Sequence, residues 1–224
     1  MLKQFLTTCA ELLYPKSCHI CSNILKRQTS VFDDYICGKC SRAMKQAPVT
    51  SYSYVAEKTF PYQKLIACYL YEGPTKELVH KFKYGNRPYL SKTIIKLMIE
   101  ALNPQHFQDI DYLVPVPLHP VRLREREFNQ AELIASGLSD HFKKPVRLGL
   151  KRIKNTGSQV SLNRRGRILN LKGAFAPVDL SGLKGSRVLV IDDVVTTTAT
   201  VREASRVLKN AGVEHISVLA FARG

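Results

Sequence analysis

The sequence predicts an α/β fold, a mainly parallel sheet flanked by helices, with a small four-cysteine module ahead of it. Three observations carry that prediction. From Met44 onward, short apolar runs alternate with helical stripes, the pattern of strands joined by crossover helices. Near the N-terminus, Cys18-x2-Cys21 and Cys37-x2-Cys40 stand fifteen residues apart. Near the C-terminus, a fully apolar run at 188–191 leads into Asp192 and Asp193 and then into a loop of threonines.

The 224 residues, 45% of them hydrophobic, are enough for one ordinary core and a small accessory module. The expected division is 1–45 for an N-terminal helix with the cysteine module and 46–224 for the α/β domain. Leu2, Phe5, Leu6, Cys9, Leu12 and Leu13 recur at helical spacing and predict a short amphipathic helix. Lys3, Gln4 and Glu11 interrupt it and no small-residue cleavage site follows, which argues against a secretory signal. No apolar run approaches the roughly 18 residues of a membrane span, so a cytoplasmic chain is expected.

Next come the cysteines. Six of them in a chain without a secretory pattern favour metal chemistry over a disulfide framework. Each C-x2-C forms a knuckle with both sulfurs toward one ion, and a hairpin around Val31, Phe32, Tyr35 and Ile36 brings the knuckles together. Four thiolates, Cys18, Cys21, Cys37 and Cys40, leave no open coordination position, so a structural Zn2+ is expected. His19 is read as an exposed bystander, and Cys9 and Cys68 as small buried hydrophobes.

Beyond the module, residues 64–71 read as a strand. Leu78, Val79 and Phe82 make a helical face after Pro74, and Leu90, Ile94, Leu97 and Met98 make a longer one. A strand at 112–116 precedes a helix at about 129–142, and 146–148 and 174–176 are short candidate strands. Arg122, Arg124 and Arg126 alternate with Leu123 and Glu125, which fits a salt-bridged surface turn better than a ligand site. The last unit is the strand 188–191, a polar loop, a helix at 199–211 capped by Gly212, and a strand at 215–222.

That last unit has the parts of a ribose 5-phosphate site. Ligands bind at the carboxyl ends of strands in open α/β sheets, and the free N–H groups of a helix start receive phosphate. Two carboxylates suit the vicinal hydroxyls of a ribose, or Mg2+ held between them and a pyrophosphate. The balance of 34 Lys and Arg against 18 Asp and Glu, a net +16, favours polyanionic partners. The charge is segregated. Lys151, Arg152, Lys154, Arg164, Arg165, Arg167 and Lys172 occupy 151–172 without an acid, and a second basic stretch covers 76–96.

The run Asp192-Asp193-Val194-Val195-Thr196-Thr197-Thr198-Ala199-Thr200 resembles the signature of type I phosphoribosyltransferases, two acids followed by a Thr-Thr-Gly-x-Thr loop. Further motifs resemble the ComF family of competence proteins, among them ComFC- and GntX-like members. They are Val114-Pro115-Val116-Pro117-Leu118-His119-Pro120, Arg122-Leu123-Arg124-Glu125-Arg126, Phe128-Asn129-Gln130-Ala131, Lys151-Arg152, Gly173-Ala174-Phe175 and Lys83-Tyr84-Gly85. Two positions depart from the pattern, with Thr198 and Glu127 standing where the family carries Gly. If the backbone there is left-handed, each costs about 1 to 2 kcal/mol.

The resemblance implies that Asp192 and Asp193 hold the ribose of phosphoribosyl diphosphate, or of a nucleotide, with Mg2+. Thr196, Thr197, Thr198, Ala199 and Thr200 would hold the 5-phosphate. Pro115 introduces a loop toward pyrophosphate, and Arg152, Lys154 and Lys83 neutralise it. Involvement in transformation or in the use of external DNA follows from the same resemblance. Single-stranded DNA is then a partner, with Arg164, Arg165 and Arg167 as phosphate contacts and Phe82, Tyr84, Tyr89 and Phe128 as stacking platforms or core. A DNA-uptake helicase or transport machinery would bring the chain to the inner face of the membrane. The alternative is an active phosphoribosyltransferase acting on an amine or base.

Overall fold

The computed structural model describes residues 15–25, 35–48, 50–51, 60–156 and 170–224. The expected N-terminal helix, Cys9, positions 31–34 of the expected hairpin, and Arg164, Arg165 and Arg167 lie outside the described residues.

The main sheet holds β1 (Thr50–Ser51), β2 (Lys64–Leu70), β3 (Tyr112–Pro115), β6 (Arg187–Val195) and β7 (His215–Arg223), in the order β1-β2-β7-β6-β3. Every neighbouring pair is parallel except β1 with β2. The central strands are apolar on both faces because helices cover both. On one face Leu189, Ile191, Leu219 and Phe221 meet Phe82 of α2 (Gly73–Tyr84), Leu97 of α3 (Leu90–Ala101) and Ile134 of α5 (Gln130–Phe142). On the other, Val188, Val190, Val218 and Ala220 meet Val201, Ala204 and Leu208 of α6 (Ala199–Asn210). The alternation along each strand thus fills two separate cores.

The first of these cores continues into the cysteine module. Cys18, Ile36, Cys40 and Met44, flanking and within α1 (Gly38–Arg42), belong to the same buried cluster as Phe82 and Leu97.

Three expectations need correction. The strand expected at 146–148 is a single bridge, Val146 to Leu113, and Leu148 is exposed. Pairing begins two residues later, where β4 (Leu150–Arg152) joins β5 (Phe175–Pro177) in a separate antiparallel ribbon. The strand expected to stop at 191 runs on to Val195, because β7 continues beside it: Asp192 pairs with Ala220 and Val194 with Ala222. The expected surface turn is a short helix, α4 (Pro120–Arg126). Pro120 sits in its first turn, His119 Nδ1 accepts from the Val121 N–H at 3.3 Å, and Arg122 bridges Glu125 at 2.7 Å. Among the described residues no helix is long and apolar enough to cross a membrane.

Candidate functional site

The carboxyl end of β6 carries Asp192 and Asp193, and the last turn of α2 brings Lys83 to them. Lys83 Nζ lies 2.9 Å from Asp193 Oδ1, with the two side chains only 18% and 10% exposed. The Asp193 N–H donates to Asp192 Oδ1 at 2.9 Å, fixing one carboxylate against the next peptide. Burial, followed by the charge of Asp193, pushes the Asp192 carboxyl up to about 7, against the pull of Lys83 and Arg152. Burial works against the charge of Lys83, but Asp193 and Asp192 outweigh it and raise its pKa.

Arg152, at the end of β4, is the second cation facing Asp192. Its guanidinium lies 5.6 Å from the Phe175 ring centroid and Nη2 donates to the Thr156 hydroxyl. Burial lowers its pKa, opposed by Asp192. Its buried Nε has no hydrogen-bond partner among the described residues. Arg126 of α4 also acts on this group, since its charge is felt by both Lys83 and Arg152.

Between β6 and α6 the threonine loop turns sharply. Thr198 has φ 60° and ψ −5°, and its hydroxyl does not cap the helix. The first-turn N–H groups of α6 are therefore not covered by that side chain. Glu127 has φ 65°, and its carboxylate accepts from Asn86 Nδ2 at 2.7 Å. Both residues at the positions where the resemblance expects glycine are thus left-handed.

Pro115 ends β3 opposite Ile191, and the next N–H, of Val116, donates to the Ile191 carbonyl at 2.9 Å. Asn129 holds the turn that follows. Its Nδ2 donates to the Val116 carbonyl at 3.1 Å while its Oδ1 caps α5 through the Ala131 N–H at 3.1 Å. Lys154 is placed differently from Arg152: Nζ donates to the Lys172 carbonyl at 2.7 Å, in the field of Glu203. Glu203 of α6 accepts from the Gly173 N–H at 2.6 Å and locks that turn. The structure therefore gathers Lys83, Arg152, Asp192 and Asp193, and ties the Lys154 ammonium to the 172–173 turn. Sequence reasoning missed Asn129 and Glu203 as anchors, although Asn before a helical run is an N-cap signal.

The four sulfurs of Cys18, Cys21, Cys37 and Cys40 lie within 4.8 Å of one another. Cys21 and Cys37 are 3.8 Å apart, close to the edge of about 3.8 Å that Zn–S bonds of about 2.3 Å give a tetrahedron. The N–H groups of Ile20 and Cys37 point at Cys18 Sγ at 3.4 and 3.3 Å, and that of Cys40 at Cys37 Sγ at 3.4 Å. Burial opposes ionisation of Cys18, but such N–H groups bring its thiol down to about 7. All of this fits one thiolate-bound ion. Cys68, away from the cluster, is pushed up to about 12 by burial, in keeping with an inert core thiol. His19 is not a bystander. It is half-buried, its ring lies tilted 5.8 and 5.7 Å from those of Tyr35 and Tyr89, and it meets Arg87 at 3.5 Å.

Fold and site together define a phosphoribosyltransferase-type domain with a four-cysteine module packed on one face. The family model described as "Phosphoribosyl transferase domain" matches residues 129–224. The chain is 30% identical over 195 residues to Competence protein F of Haemophilus influenzae, covering 84% of this chain and 80% of that one. It is 28% identical over 212 residues to DNA utilization protein YhgH of Escherichia coli, covering 92% and 89%. It is 28% identical over 205 residues to Competence protein ComFC of Bacillus subtilis, covering 88% and 79%. The chain belongs to the ComF family.

Proposed function

We propose that this chain binds phosphoribosyl diphosphate at the end of β6 and single-stranded DNA on its basic surface, in the handling of external DNA. The observation that carries the first half is the Lys83–Asp193 pair beside Asp192 and Arg152, just ahead of a helix start that the Thr198 side chain does not cap. Asp192 and Asp193 accept the ribose hydroxyls, and Lys83 exchanges its carboxylate for pyrophosphate oxygens. Arg152, whose buried Nε lacks a partner among the described residues, donates to the same leaving group. Backbone N–H groups at 196–200, with the hydroxyls of Thr196, Thr197 and Thr200, take the 5-phosphate. Pro115 directs the following backbone toward the pyrophosphate, and Lys154, after leaving the Lys172 carbonyl, adds a third cation. Magnesium, when bound, would neutralise the pyrophosphate beside the two aspartates.

Support for the DNA half is the net charge of +16 and the names of the relatives, which speak of competence and DNA utilization. In this reading residues 1–45 carry a structural zinc and 46–224 the ligand site, with Arg164, Arg165 and Arg167 on DNA phosphates. The setting is the cytoplasm, beside uptake machinery. Calorimetric titration with phosphoribosyl diphosphate and magnesium tests the site. The parent is expected to bind and a D192N/D193N double variant to lose binding; equal heats from both would overturn it.

Arg152 Nε, without a partner among the described residues, also favours a second reading, transfer of the phosphoribosyl group to an amine or base with pyrophosphate leaving. Pyrophosphate release across a panel of bases and amines decides it. Binding without release for every acceptor removes the enzymatic reading.

A further inference from the structure

Four aromatic residues lie among the basic stretches, and the structure separates them. Phe82 is fully buried and packs on Phe128 at 5.5 Å. Tyr89 sits in a ring cluster, 4.9 Å from Tyr35 and 5.7 Å from His19. Tyr84 alone of the four keeps most of its surface in solvent, 63%. It follows Lys83 directly, at the point where α2 ends beside the acid pair.

An exposed phenol on a helix end is ordinarily mobile, but this one is held. The Arg126 guanidinium lies 5.1 Å from its ring centroid and Nη2 donates to its hydroxyl at 3.5 Å. Arg126 is anchored in turn, its Nη1 donating to Gln130 Oε1 at 3.2 Å on the next helix. The His80 ring approaches at 4.9 Å. Two residues beyond Tyr84, Asn86 is tied to Glu127, so the ends of α2 and α4 are clasped at two neighbouring points. The result is an exposed aromatic ring with a planar cation laid over it, next to the site's charged groups. Flat π-surfaces of this kind receive unpaired bases without regard to sequence.

We propose that Tyr84 and Arg126 form a stacking platform for an unpaired base of single-stranded DNA at the mouth of the phosphoribosyl site. The strand then binds through ring stacking there as well as through charge elsewhere. This rests on the DNA-binding reading above and names the surface that contacts the bases.

The test compares an oligodeoxythymidylate with an abasic oligomer of equal length and charge, by fluorescence anisotropy, on the full chain. The parent should prefer the base-bearing strand by about tenfold, the order expected for losing one stacked base. Tyr84→Leu should lose that preference, leave abasic binding unchanged and leave phosphoribosyl diphosphate binding unchanged; Tyr84→Phe should keep it. A parent that binds both oligomers equally, or a Tyr84→Leu variant that keeps the preference, overturns the platform while DNA binding stands. A Tyr84 dependence found for a mononucleotide but absent for the strand also overturns it. If the parent binds neither oligomer, the DNA-binding reading itself fails and the platform with it.

Discussion

Thr198 and Glu127 share a left-handed backbone but differ in what their side chains do there. The Glu127 carboxylate holds Asn86, whereas the Thr198 hydroxyl makes no cap. Because Thr198 is left-handed in the fold, relief of its strain should appear as stability. Thr198→Gly relieves about 1 to 2 kcal/mol of strain and loses part of that gain to the freedom of unfolded Gly. A net gain of up to about 1 kcal/mol, near 2 to 4 °C in Tm for a chain of this size, is expected in thermal unfolding. Glu127→Gly should come out close to neutral, because it also loses the Asn86 bond. Earlier unfolding of Thr198→Gly would mean that the threonine side chain holds the loop. Asp192 predicts a pH effect. Its carboxyl titrates near 3.8 when unfolded and near 7 in the fold, so the native state binds the extra proton between those values. The contribution of Asp192 to stability is therefore lost as pH rises from about 4 through 7. Asp192→Asn removes that loss, and urea unfolding should find it more stable than the parent at pH 8 by roughly 1 to 3 kcal/mol, converging toward pH 4. Parallel pH profiles for the two proteins would show that Asp192 ionises freely.

At the scale of elements, the cysteine module is joined to the sheet's helices by packing and not only by sequence. Cys18 and Cys40 share a buried cluster with Phe82 and Leu97, and Tyr35 reaches Tyr89 just before α3. Loss of the metal should therefore be felt in α2 and α3. Metal analysis of the reduced parent should give one zinc per chain. Cys37→Ser should lose it and lower the thermal midpoint of the main transition, not merely that of a separate N-terminal step. Zinc retained in Cys37→Ser would remove that residue from the ligand set. The cluster was legible because both pairs keep the same spacing, and α2, α3 and α5 because their apolar stripes recur at helical period. β4 was not, since three residues with one buried position have no period to read. The reach of β6 to Val195 was hidden because its own sequence turns polar at Asp192; the apolar run of β7 to Ala222 sustains the ladder. Asp192, Asp193, Lys83 and Arg152 could be named from local motifs. That Lys83 pairs with Asp193, and that Lys154 rests on the 172–173 turn, depends on contacts between distant segments that no local pattern encodes.

Across the whole molecule, the excess of 34 basic over 18 acidic residues is not spread evenly, and pairing removes some of it from use. Lys83 is paired with Asp193 inside the ligand site, and Arg206 with Glu203, so neither counts among the exposed counter-charges for a DNA strand. On α2 and α3, by contrast, Lys76 and Lys92 are exposed, and Arg164, Arg165 and Arg167 add three more charges to an acid-free stretch of the sequence. A single strand bound by such residues releases condensed counterions, so its affinity must fall as salt rises, with a log–log slope of about −0.7 per phosphate neutralised. Replacing Arg164, Arg165 and Arg167 together by Ala should flatten the slope by about 2 if each meets one phosphate. Replacing Lys76 and Lys92 serves as the comparison, because it removes exposed charge from the other basic stretch without touching the arginines. Anisotropy titrations over a salt series check both. A slope altered only by the lysine pair would move the strand's path onto α2 and α3, and a parent whose affinity ignores salt would exclude the electrostatic mode altogether. The base preference assigned to Tyr84 should persist at every salt concentration, since stacking releases no ions, and that independence separates the two contributions within one set of titrations.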